Sequence, residues 1–360
     1  MNTYRFSISG RRDVAEEGPS DPTIPWGLSQ NEFSLASLPD VWGDVRDGDA
    51  LVFAPGEYTV KSLLTLDRNN PIKSVSSVWS ARDGADSVEW QFESGGGVLL
   101  NCREGAGHEL EIRDFRFTTS EPHLSDHALV RFSQNCRSIK LVRPQFHDIR
   151  VVNDSSERGL LLRADLRPTQ DGATGTLHLV DPSFTFSATV ASAEMIETSG
   201  HTSIHQTGVM SIADSVLEAT STTPIKFLNH NGIGVAHFQK IEISSYETFN
   251  AISTGRIGGI VTQGRSAGRI EIDSFEAKDV TVGRPGSIAP SDGMIVSNLG
   301  PPGGYISNAL VERYKALGNS NRQGALNNLK GGVWEVSNAT VRDSEGAFGM
   351  LVHTTFNGSA

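Results

Sequence analysis

Hydrophobic residues along this chain come in short alternating runs, each ended within a few positions by Gly, Pro, Asn, Asp or Ser. Residues 47–61, DGDALVFAPGEYTVK, set the pattern. Leu51 and Phe53 alternate with small or polar neighbours, Pro55-Gly56 marks a turn, and Tyr58 and Val60 resume the alternation. Apolar or small residues at offsets 0, 2, 5 and 7 then recur down the chain: Leu110-Ile112-Phe115-Phe117, Ile139-Leu141-Pro144-Phe146, Leu177-Leu179-Pro182-Phe184, Met210-Ile212-Ser215-Leu217, Ala236-Phe238-Ile241-Ile243, Ile270-Ile272-Phe275-Ala277 and Trp334-Val336-Ala339-Val341. A weaker copy begins at Tyr305. A third apolar run precedes each copy, among them Leu129-Phe132, Leu160-Leu162, Met195-Thr198, Ile225-Leu228 and Ile260-Thr262. The pattern predicts an all-β repeat with three strands per coil, one isolated and two joined by a tight bend.

At that bend, offset 4 holds Asp114, Asp181, Asp214, Ser274 and Asn338, residue types that tolerate unusual backbone angles and bond to nearby backbone. They are read as turn residues, as are Asp47, Asp49 and Glu57 in the opening coil. Residues 1–46 precede the repeat and are read as a cap, with a strand at Tyr4, Phe6 and Ile8, a Pro-rich loop over 16–25, and a short helix within 31–42 that starts at an Asn31 N-cap and stops at Pro39. Residues 47–360 form the repeat domain.

Composition narrows the partners. The formal net charge of -11 argues against general affinity for nucleic acid or anionic membranes, while leaving room for a local basic cleft. No run is long and apolar enough to span a membrane, and the first residues lack the apolar core of a secretory signal, so a cytoplasmic location is expected unless a signal was trimmed. The two cysteines, Cys102 and Cys136, stand in identical Asn-Cys-Arg triplets and are read as small buried thiols in adjacent coils. No zinc-type spacing is present. Oligomeric state is not legible.

The opening GDALVFAPGEYTV and the repeats LEIRDFRFTTS, IEIDSFEAKDV and WEVSNATVRDS resemble the coils of the right-handed parallel β-helix of the pectate lyase (pectin lyase-like) superfamily, over about residues 45–355. The resemblance implies a rod of about ten coils with an N-terminal cap and one continuous apolar core. It does not fix activity, because the superfamily holds lyases, hydrolases, epimerases, tailspikes and adhesins.

The superfamily's substrate cleft usually lies over the isolated strand. With Val130, Leu162, Ile196, Phe227 and Thr262 facing in, the outward row becomes Arg131, Arg163, Glu197, Lys226 and Gln263, with His230 just beyond. A solvated face with rim ion pairs is the plain alternative. The neighbouring turns carry His201, His205, His230 and His237. Lyases of the superfamily abstract the proton next to a uronate carboxyl and need cations to hold the developing charge. The resemblance therefore casts Arg131, Arg163 and Lys226 as cationic catalytic groups and His230 as base, with Glu197, Asn229, His201 and Gln263 binding substrate. No cofactor is expected. Calcium serves in some relatives, and its only candidate donors here are Glu194, Glu197 and Asp165. The segment from Glu121 to His127 faintly resembles the Asp-Pro-His-Asp motif of alginate epimerases, with its first Asp replaced. Asp165, Glu197 and Asp292 are the carboxylates available to a hydrolase. The expected activity is elimination or epimerisation on an acidic, uronate-containing polysaccharide. The alternatives are a non-catalytic, tailspike-like glycan binder and an intracellular isomerase or cyclase acting on a small metabolite or peptide.

Overall fold

A computed structural model describes residues 2–12, 19–46, 48–67, 76–81, 88–101, 108–123, 127–133, 136–153, 160–166, 174–191, 194–223, 225–252, 259–264, 267–285, 294–297, 303–317, 327–328 and 332–345. Three parallel sheets of eleven, nine and eleven strands run the length of a β-solenoid, each strand pairing with its counterparts one coil before and one coil after. One coil runs through Gly175–Val180 in the first sheet, Ser183–Val190 in the second and Glu194–Gly200 in the third, and Thr202–Thr207 then pairs back onto Gly175–Val180. The nine third-sheet strands set nine complete coils among the described residues, close to the ten expected.

The alternation read from the sequence points inward as expected. Leu110, Ile139, Leu177, Ile204, Ala236 and Ile270 are register partners in the first sheet and all lie in the core. On the second sheet Phe117, Phe146 and Phe184 stack at 4.9 and 5.2 Å between ring centroids, so like side chains pile up along the axis. Two copies need re-phasing. Met210, Ile212 and Leu217 all lie on one second-sheet strand, Met210–Ala219, and the first-sheet strand of that coil carries Ile204 and Gln206. Gln206 fills an apolar position by donating to the Thr207 carbonyl and accepting from the Lys240 amide, which hides the repeat from a hydrophobic count. In the weaker copy Gly304 and Ile306 continue the inward column of Ile270 and Ile272, and Tyr305 faces out. At Gly304 a Cβ would meet the Ile270 carbonyl oxygen at 1.9 Å, which accounts for the missing apolar residue.

The polar bends resolve into two series. Asp114, Asp181 and Asn338 have φ of 64, 46 and 49° between the first and second sheets, as expected of turn residues. Asp214 has φ 45° but lies mid-strand in the second sheet, aligned with Ser245, Asp279 and Arg313, where the strands kink; Ser274 is not left-handed. In the cap, strand Thr3–Phe6 pairs parallel with Ala50–Phe53, burying Tyr4 and Phe6, while Ile8 lies outside it and is 62% exposed. The helix runs Leu38–Asp44, burying Leu38, Val41 and Trp42. Pro39 opens it rather than stopping it, because a first-turn residue needs no amide donor, and Asn31 ends a separate short 3-10 turn, Ser29–Asn31. The outer edge of Thr3–Phe6 is occupied: the Phe33 amide donates to the Arg5 carbonyl, the Ser7 amide to the Phe33 carbonyl, and the Ser20 amide to the Thr3 carbonyl. Among the described residues no helix is long and apolar enough to cross a membrane. Cys136 is buried, as expected; Cys102, Asp47 and Asp292 lie outside the described residues.

Candidate functional site

The third sheet carries the predicted polar row. Its strands Val130–Ser133, Leu162–Leu166, Glu194–Gly200, Lys226–His230 and Val261–Gln263 pair in register, so that Val130, Leu162, Ile196, Leu228 and Val261 align facing in. The next position aligns Arg131, Arg163, Glu197, Asn229 and Thr262 on the outer face. Lys226 pairs with Glu194 at the start of two of these strands.

That register corrects the expected phase in its last two rungs. Phe227 and Leu228 are both in the core, at the corner where the second sheet gives way to the third, and Phe227 packs on Phe184 and Phe186. Two consecutive inward residues break the alternation, and the register follows Leu228 rather than Phe227. Thr262 therefore faces out, and Gln263 and His230 face in, in one column with Thr198 and Ala164. His230 is fully buried. Its Nε2 lies 2.8 Å from the Gly234 carbonyl and donates to it, and its Nδ1 accepts from Thr198 Oγ1 at 2.7 Å. Burial lowers its pKa to about 4, with the Gly234 hydrogen bond acting weakly the other way. A histidine with both nitrogens engaged inside the coil has no free lone pair for a substrate proton, so the geometry does not support it as base. Gln263 Nε2 donates to the Gly268 carbonyl at 2.7 Å and the Gly303 carbonyl at 3.3 Å, holding the following turn. His201 sits at the corner between third and first sheets, where its amide donates to the Leu166 carbonyl. His205 and His237 face outward on the first sheet, so the four histidines do not form one cluster.

The remaining row is compact and deep. Glu194, Glu197, Asn229 and Thr262 are buried, whereas Arg131, Arg163 and Lys226 are half-buried. Arg163 Nε lies 3.3 Å from Glu197 Oε2, and Lys226 Nζ lies 3.6 Å from Glu194 Oε1. Asn229 Nδ2 donates to that same Glu194 oxygen at 3.0 Å. Three cations thus face two carboxylates. Arg131 Nε, Asn229 Oδ1 and Thr262 Oγ1 are buried without a hydrogen-bond partner among the described residues. Such atoms carry a desolvation cost that a polar ligand would remove. Sequence reasoning passed over Glu194 as a member of the row and Thr262 as an outward residue; the tandem apolar residues at each strand start concealed both.

The row does not fit calcium. Glu194 and Glu197 are each engaged by a cationic side chain, and no described group of three or more His, Cys, Asp or Glu side chains is arranged to hold a metal ion. His123, from the epimerase-like segment, is buried beside the Glu93 carbonyl, and burial lowers its pKa to about 4. An open cavity of about 420 Å³ lies elsewhere, in the groove made by the second-sheet kinks, lined by Asp214, Ser245, Glu247, Asp279, Arg313 and Lys315 among others.

No protein-family model matches the sequence, and no curated protein matches it. Among solved structures, a mannuronic acid specific polysaccharide family 6 lyase from human gut microbiota aligns over 93% of this chain and 87% of that one, at 11% identity and a TM-score of 0.23. A likeness that slight carries no argument about what this chain does.

Proposed function

We propose that the outer face of the third sheet binds an acidic, uronate-type saccharide and that the chemistry there is removal of the proton next to the uronate carboxyl. The observation that supports this most directly is Arg131. It stands in line with Arg163, but Arg163 already meets Glu197, whereas the buried Nε of Arg131 has no partner among the described residues. A guanidinium in that condition is suited to a planar carboxylate, which it engages through two parallel N–H donors. Held there, the carboxyl becomes a better sink for the electron pair left when the adjacent C–H bond breaks. In elimination that pair forms a carbon–carbon double bond and the bond to the leaving sugar oxygen breaks. In epimerisation a proton returns to the opposite face. With His230 committed to the core and Lys226 paired with Glu194, the group of the row that can take the proton is the Glu197 carboxylate, which Arg163 orients.

The test is incubation with polymannuronate, polyguluronate and polygalacturonate, followed by ultraviolet absorbance for unsaturated product and NMR for inverted sugars. Arg131→Ala should lower kcat/KM by roughly 100-fold, the size of losing one charge-stabilising contact. Glu197→Gln should remove the acid-side pH dependence of kcat, because a general base works only when ionised. Absence of product and epimer with all three polymers overturns the reading. The near-complete burial of Asn229 and Glu197, at 1% and 4% exposure, supports a second reading in which the ligand is a single small acidic molecule rather than a polymer. Turnover of uronate monosaccharides or disaccharides without turnover of polymers would select it.

A further inference from the structure

The outer face of the first sheet carries an ordered row that the proposed site does not use. Lys140, His178, His205 and His237 are register partners on four consecutive strands, Cys136–Val142, Gly175–Val180, Thr202–Thr207 and Ala236–Phe238, and each faces out between buried neighbours. Neighbouring members are one strand spacing apart, about 4.8 Å, so four basic groups form a line along the rod axis about 15 Å long. Glu111 closes one end, with Lys140 Nζ 3.5 Å from its carboxylate. Glu271 and then Tyr305 follow His237 at the other. Between those ends no register position of the row holds a carboxylate, and Asp273 reaches His237 from the side.

The three imidazoles are held differently. His178 Nε2 meets Thr207 Oγ1 at 3.0 Å. His237 Nε2 meets Asp273 Oδ2 at 3.1 Å, and Asp273 also accepts from the Tyr305 hydroxyl at 2.5 Å. The His205 ring lies 6.3 Å from the His237 ring and has no hydrogen bond to any described residue. Once protonated, three imidazolium groups and an ammonium one rung apart repel one another along a line, and an anion with the same repeat cancels that repulsion.

We infer that this line is a docking row for a linear polyanion lying along the rod axis, a polymer bearing carboxylate or sulfate groups at about the strand spacing, engaged when the histidines are protonated. It is on a different face from the third-sheet row and does not depend on the activity proposed there. The direction of titration agrees: burial first, then Lys140 and His205, lower the pKa of His178, and burial and then His237 lower that of His205, with Glu111 and Glu271 acting weakly the other way. His178 and His205 are therefore largely neutral at pH 7 in the free protein, and an anion bound against them takes up protons there.

The test uses the full chain and three probes: polymannuronate, dextran sulfate and uncharged dextran, titrated calorimetrically at pH 5.5 and pH 8. Both charged polymers should bind roughly tenfold more tightly at pH 5.5, with dextran showing no such step. The triple variant H178Q/H205Q/H237Q changes only outward side chains, and circular dichroism verifies that it folds. It should lose the pH step, while Arg131→Ala retains it. The triple variant keeps the other histidines, so the general rise in charge at pH 5.5 persists there and loss of the step is assigned to the row. A step that survives in the triple variant, an equal step with dextran, or no step with either charged polymer overturns the proposal.

Discussion

Both nitrogens of the His230 ring have partners inside the coil, so its proton affinity is a property of the fold. The sign of its effect follows from its depressed pKa. The unfolded chain takes up a proton near the ordinary pKa of about 6.5, whereas the folded chain resists until about 4. His230 thus stabilises the fold fully above pH 6.5 and progressively less as pH falls to about 4, a loss of about 3 kcal/mol. His123, also lowered to about 4, adds a loss in the same direction. Urea midpoints measured from pH 8 to pH 4 should fall across that window, and less steeply in His230→Gln. If His230 were the base instead, His230→Gln would fold and have a kcat without its acid-side pH dependence. Strand alternation alone put Arg131, Arg163 and Glu197 outward. It failed at Phe227-Leu228, where both side chains enter the core and nothing in the residue types says which carries the register.

At the scale of elements, the bends are as decisive as the strands. Arg143 occupies the bend between the first and second sheets with φ 50°, and its guanidinium clasps both carboxylate oxygens of Asp114, its counterpart one coil earlier, at 2.6 and 2.9 Å. Asp114 is buried but Arg143 is half exposed, so solvent screens the pair, whereas the left-handed backbone is demanding. Arg143→Gly should change stability by less than about 1 kcal/mol, because the gain in backbone freedom and the lost pair nearly offset, whereas Arg143→Val should cost about 1–3 kcal/mol. Chemical denaturation of the two variants separates these outcomes, and equal effects would show that the ion pair dominates. Turn-forming residue types at a fixed offset announced this bend series. The second-sheet kinks use similar residues mid-strand, and Asp214 was assigned to the wrong series for that reason.

For the whole molecule, stability is a sum of coil-on-coil interfaces. Leu177 pairs with Ile204, so residues 177–203 constitute one full circuit of the three sheets. Deleting them should leave a folded rod about 4.8 Å shorter by small-angle scattering, with unchanged β content by circular dichroism. The deletion removes Glu194 and Glu197, so the third-sheet chemistry should disappear while the fold persists. Deleting only residues 177–190 removes parts of two sheets and should abolish cooperative unfolding; a cooperative transition would contradict the coil as the unit. The coil was legible because each one repeats the same alternation. The partnerships across the third sheet were not, because loops of varying length separate the strands and only the register decides which side chains meet.

The occupied outer edge of Thr3–Phe6 gives the rod a direction of assembly. The cap precedes the coils in the chain, so during synthesis it leaves the ribosome before them and, once paired with Ala50–Phe53, offers one receptive edge with the opposite edge already closed. Each coil completed thereafter becomes the template for the next. A chain released with its cap unfolded would leave the Ala50–Phe53 edge bare on the side that Thr3–Phe6 normally covers, a template on which a strand of another chain could add.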